Sequence, residues 1–77
     1  PLPVVVYFWA NWCGPCKQVG PTLEQLSDEM EGRIRLFKID VDENPNVANA
    51  IGVRGLPSMF IFDRNGDIVA NRSGSAP

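Results

Sequence analysis

Cys13 and Cys16 are the only cysteines in the chain, and two backbone specialists, Gly14 and Pro15, separate them. Thiols at this spacing can hold a metal, close a structural bridge or exchange disulfides. Structural zinc takes four nitrogen or sulfur ligands. With no histidine and no third cysteine, a metal would need carboxylates or a second chain. The missing histidine also removes any Ser–His or Cys–His nucleophile. As a staple the pair is poor, because a ring this short removes little loop entropy from the unfolded chain. Two inert buried thiols are the remaining bland reading, which suits Cys16 better than Cys13, since Cys13 closely follows polar Asn11. Redox exchange is the favoured reading, because a Cys-x-x-Cys beside a strand–helix–strand pattern is where reactive dithiols occur.

The elements that must position the pair can be read from periodicity. Val4-Val5-Val6-Tyr7-Phe8-Trp9 is almost continuously apolar and rich in β-branched and aromatic residues, as expected of a strand covered on both faces. It ends near Ala10, and a helix is predicted to begin near Cys13. Cys16, Val19, Leu23, Leu26 and Met30 form its apolar stripe, Pro21 should kink it and free the Lys17 carbonyl, and Gly32 should end it. Cys13 then sits at a helix N-terminus, where free N–H groups and the dipole favour a thiolate. Cys16 lies one turn on and faces the core. The expected roles are an exposed Cys13 that attacks and a buried Cys16 that resolves. Pro15 fits a first-turn position and stiffens the ring, and Gly14 lets the backbone bend closely.

Ile34–Val41 reads as a second strand with apolar residues on both faces, parallel to the first through a right-handed crossover. Asn44 caps a short helix that starts with Pro45, runs to Ile51 and stops at Gly52. Ser58–Asp63 and Asp67–Arg72 read as strands joined by a tight turn at Asn65-Gly66. The order β-α-β-α-β-β predicts an α/β fold of one domain over residues 1–77: a central mixed sheet with helices on its faces. The short second helix looks too small to seal its face, so an additional helix is expected at one or both ends. The chain starts at Pro1, not Met, and reads as part of something longer.

Composition narrows the function. The 77 residues carry 7 basic and 9 acidic side chains, a net charge of −2, too mild to suggest nucleic acid or an anionic membrane as partner. No apolar run approaches the ~18 residues of a membrane span, and no secretory signal is visible. The expected location is the cytoplasm.

The run Phe8-Trp9-Ala10-Asn11-Trp12-Cys13-Gly14-Pro15-Cys16-Lys17, with Pro21 four residues later, resembles the thioredoxin family. So do Lys38-Ile39-Asp40-Val41-Asp42-Glu43-Asn44-Pro45, Gly52-Val53-Arg54-Gly55-Leu56-Pro57-Ser58 and the Asn65-Gly66 turn with Gly74 beyond it. The resemblance implies a thioredoxin-like fold that lacks the family's N-terminal strand and helix and its C-terminal helix. It implies that Cys13 is the nucleophile and Cys16 the resolving thiol, with Trp12 flanking the pair on the target-binding surface. Pro57 would follow a cis peptide bond and pack against the disulfide. The Leu56 backbone would pair with an extended target strand, in a groove kept open by Gly55 and Gly74. Lys38 would lie beneath the site. One residue departs from the pattern: the family's buried aspartate below the disulfide is here Tyr7. A phenol with an ordinary pKa near ~10 is no resting base, so Tyr7 is read as core filler with a bonded hydroxyl, and Lys38 would lack its usual acidic neighbour.

The function so implied is protein-disulfide reduction by dithiol exchange. It needs no cofactor beyond the Cys13–Cys16 disulfide, and a thioredoxin-reductase-like donor, flavin-dependent or ferredoxin-linked, would renew the dithiol. Two alternatives stand beside it: an envelope-facing redox domain, reductase or oxidase, and a partner-binding module on the same fold.

Overall fold

The computed structural model describes residues 2–73. Its elements are β1 (Val4–Trp9), α1 (Cys16–Glu29), β2 (Arg35–Asp40), α2 (Pro45–Ile51), β3 (Ser58–Phe62) and β4 (Ile68–Ser73). They form one mixed sheet in the order β2-β1-β3-β4. β1 runs parallel to β2, from Val4 opposite Arg35 to Trp9 opposite Asp40, and antiparallel to β3. β3 and β4 are antiparallel.

The unbroken apolar character of β1 follows from its central place. Alternate side chains of a strand point to opposite faces, and both faces here are covered. Val6 and Phe8 pack with Phe60 and with Ala48 of α2, and the rings of Phe8 and Phe60 meet edge to face, 5.8 Å between centroids. On the other face Tyr7 and Ala10 pack with Cys13 and Cys16, backed by Val19 and Leu23 of α1. The site is therefore part of a core, which explains why its geometry is fixed.

Several local expectations need correction. α1 starts at Cys16, not near Cys13, with Pro15 (φ −59°) in the N-cap position. Its buried positions are Cys16 and Gly20, one turn apart, whereas Leu26, expected on the apolar stripe, is 44% exposed, and Leu23, Ser27 and Met30 are the partly buried positions of the later turns. The helix runs past Pro21, which has no N–H to give the Lys17 carbonyl, and ends at Glu29, so that Gly32 (φ 84°) turns the chain after the helix and does not itself end it. β2 is a sheet edge, so Phe37 remains 48% exposed instead of covered. Asn44 occupies the cap position of α2 without capping it, because its amide donates to the Asp40 carbonyl at 3.0 Å. Gly52 (φ 89°) ends α2 in the left-handed region. The tight β3–β4 hairpin expected at Asn65-Gly66 is present, with Arg64, Asn65 and Gly66 between the paired Asp63 and Asp67. Asp63 N–H donates to Asp67 O at 2.9 Å, Gly66 N–H donates to Asp63 O at 3.0 Å, and Gly66 has φ 87°. The Asp63 carboxylate accepts from the N–H groups of Asn65 and Asp67 at 2.8 and 3.0 Å, pinning the turn.

Candidate active site

The chain leaves β1, turns at Asn11-Trp12 and enters α1 within a few residues. The N–H of Cys13 donates back to the Ala10 carbonyl at 3.1 Å. This turn folds Cys13 over the end of the sheet, into the same apolar cluster as Tyr7, Ala10 and Cys16. The two cysteines are joined in a disulfide, Cα atoms 5.3 Å apart. The expected contrast in exposure is absent, since Cys13 is 4% and Cys16 6% exposed; the turn and the cluster enclose both.

The asymmetry lies in hydrogen bonding instead. The Cys16 N–H, at the first residue of α1, donates to Cys13 Sγ at 3.2 Å. The first N–H groups of a helix have no partner inside it. Here one is spent on the Cys13 sulfur, so charge left there on ring opening meets a donor and the positive end of the helix dipole. The donor expected beside Cys13 is thus present although the helix starts later.

Beneath the pair, the buried Tyr7 hydroxyl donates to the Cys16 carbonyl at 3.0 Å. Burial raises the phenol pKa, so Tyr7 stays neutral and serves as a donor. Lys38 stands opposite Tyr7 across the β1–β2 ladder and is ion-paired with Glu24 of α1, both side chains about half exposed. The lysine therefore has an acidic neighbour after all, supplied by the helix. A cavity of about 290 Å³ opens between these elements and is lined by Cys16, Tyr7, Lys17, Glu24 and Lys38 among others.

On the outer side Trp12 is 69% exposed, and its indole N–H donates to Asp42 Oδ2 at 2.9 Å. The Asp42 N–H in turn donates to Asp40 Oδ1 at 2.9 Å. The Leu56–Pro57 bond is cis. Pro57 and Ser58 are buried, Leu56 packs against the cysteine cluster, and the Ser58 hydroxyl donates to the Gly55 carbonyl. A Cβ at Gly55 would meet nothing within 4 Å, so the surface beside Leu56 is open. The same is true at Gly14, whose φ is not positive. Its backbone does not require glycine, contrary to the close bend expected there. Gly74 lies outside the described residues.

Sequence reasoning missed Asp42 and Glu24. Asp42 carried a weak signal, an acid just past the strand that ends beside the Trp12 turn. Glu24 carried none, being one polar helix residue among many. Among the described residues no group of three or more histidine, cysteine or acidic side chains is arranged to hold a metal.

The sequence model of the thioredoxin family matches residues 2–77. The chain belongs to the thioredoxin family. Among its relatives, a thioredoxin of Chlorobaculum thiosulfatiphilum is 47% identical over 74 residues, covering 96% of this chain and 68% of that protein. A thioredoxin of Rickettsia felis is 44% identical over 66 residues, covering 86% and 62%, and one of Synechocystis is 43% identical over 76, covering 99% and 70%. The chain therefore spans roughly two thirds of these thioredoxins' length, 62% to 70%. A solved structure described as that of a malarial protein superposes with a TM-score of 0.90 at 28% identity, over 96% of this chain and 82% of its own. A thioredoxin-family chain with its vicinal cysteines joined is built for thiol–disulfide exchange.

Proposed function

We propose that the chain reduces disulfides in other proteins. The observation that carries the reading is the Cys16 N–H donated to Cys13 Sγ at 3.2 Å across the existing bond. In the dithiol form, the Cys13 thiolate attacks one sulfur of a target disulfide, and the other target sulfur leaves as a thiolate. Cys16, deprotonated, then attacks Cys13. The Cys13–target bond breaks, the target leaves fully reduced and the chain holds the Cys13–Cys16 disulfide. Two electrons pass to the target, and no cofactor takes part.

Trp12, Gly55, Leu56 and Pro57 are proposed to receive the target. The exposed Trp12 face and the open surface beside Leu56 support this, with the Leu56 backbone pairing to an extended target segment. The dithiol is renewed by a thioredoxin-reductase-like donor, and the work is cytoplasmic. No helix of the described residues is long and apolar enough to cross a membrane. Gly14-Pro15 between the cysteines, by family resemblance, supports the reducing direction.

The test is trapping. Cys16→Ser should accumulate a mixed disulfide to the target through Cys13, and Cys13→Ser should form none. A redox equilibrium against glutathione checks direction: a potential more oxidising than that pool would reverse it. If Cys13→Ser keeps both its partner and its biological role, the chain is a binding module instead.

A further inference from the structure

Before Cys16 attacks, its thiol must lose a proton. Tyr7 beneath it cannot take one, because its hydroxyl is a neutral donor committed to the Cys16 carbonyl at 3.0 Å. Yet Cys16 borders a cavity of about 290 Å³, large enough for several waters at roughly 30 Å³ each. The charged and titratable groups that line it are Tyr7 from β1, Lys17 and Glu24 from α1, and Lys38 from β2. The Lys17 and Lys38 ammonium groups are donors with no acceptor site, and their positive charge favours a thiolate nearby. Glu24 is the one carboxylate among these lining residues. It is held by its ion pair to Lys38 and is half-exposed, so one side of it meets the cavity and the other meets bulk solvent.

We propose that Glu24 receives the Cys16 proton through cavity water, with Lys38 holding the carboxylate in place. The inference rests on the disulfide-exchange reading above. The Cys16 S–H gives its proton to water, water passes one to the Glu24 carboxylate, and Glu24 releases it to solvent. The Cys16 thiolate attacks Cys13 Sγ, the Cys13–target S–S bond breaks with its electron pair on the target sulfur, and that thiolate takes a proton from solvent. Glu24 acts through water, as a proton-relay residue.

A charge-only role for Glu24 predicts the opposite sign, which makes the idea testable. If Glu24 merely offsets Lys38, Glu24→Gln frees the ammonium, favours the Cys16 thiolate and speeds resolution. If Glu24 is the relay, the same change slows it. The reduced full chain is mixed in a stopped-flow instrument with a symmetrical nitroaryl disulfide whose thiolate product is coloured. The first release reports Cys13 attack and the second reports resolution by Cys16. Glu24→Gln should leave the first release unchanged and slow the second about 3- to 10-fold below about pH 7, with the difference shrinking as pH rises and hydroxide takes the proton directly. The variant should fold, since an exposed ion pair adds little stability. A second release that is unchanged or faster overturns the relay. Absence of the first release in the unsubstituted chain overturns the exchange reading itself, and this inference with it.

Discussion

Tyr7 shows how one residue links core and chemistry. It is buried in the central strand, its ring lies under α1, and its hydroxyl bonds the backbone of the resolving cysteine. Tyr7→Phe keeps the ring and removes the bond, so it should cost about 1 kcal/mol at neutral pH, read from urea unfolding. The pH dependence has a definite sign. Burial raises the phenol pKa in the folded state, so above about pH 10 the unfolded chain loses a proton that the folded chain retains. The folded state then binds more protons, and stability falls as pH rises from about 10 through the folded pKa; below that window the contribution is complete. Tyr7→Phe should flatten this alkaline limb. An equally steep limb in the variant would place the titrating group elsewhere.

At the scale of elements, α1 carries an unusual feature: its inner face is glycine at position 20, where a Cβ would sit 3.8 Å from the Tyr7 ring and hydroxyl. That is ordinary contact. Glycine inside a helix costs up to about 1 kcal/mol relative to alanine, so Gly20→Ala should stabilise by about 0.5–1 kcal/mol, seen as a higher denaturant midpoint at constant slope. A lower midpoint would mean that Tyr7 has to move. Gly52 behaves oppositely. Nothing crowds it, but at φ 89° a side chain is strained, and Gly52→Ala should lose about 1–2 kcal/mol. Because Gly52 ends α2 and begins the loop leading to Leu56 and Pro57, the same variant should also weaken target capture, measured as slower mixed-disulfide formation.

Across the whole molecule the margin is thin. A chain of 77 residues has a typical folding free energy of about 4–12 kcal/mol, and the core here is two small clusters on either side of one strand. Phe8 packs against Phe60 and is the largest fully buried side chain of its cluster. Phe8→Ala should cost about 3–5 kcal/mol and lower the midpoint of thermal unfolding by more than about 12 °C. A calorimetric shift of only a few degrees would show that the face is already loosely packed.

The number, order and type of elements were legible in the sequence, because each rests on a local period: two for strands, near four for helices, with glycine and proline as punctuation. So was the chemistry of Cys13 and Cys16, since a two-residue gap before a helix brings the sulfurs within bridging reach whatever the rest does. The burial of Cys13, the donation from Trp12 to Asp42 across 30 residues, the Glu24–Lys38 pair across 14 and the loss of Asn44 as a cap were decided by the tertiary structure alone. Each depends on which surfaces the folded chain brings together, and no local period encodes that.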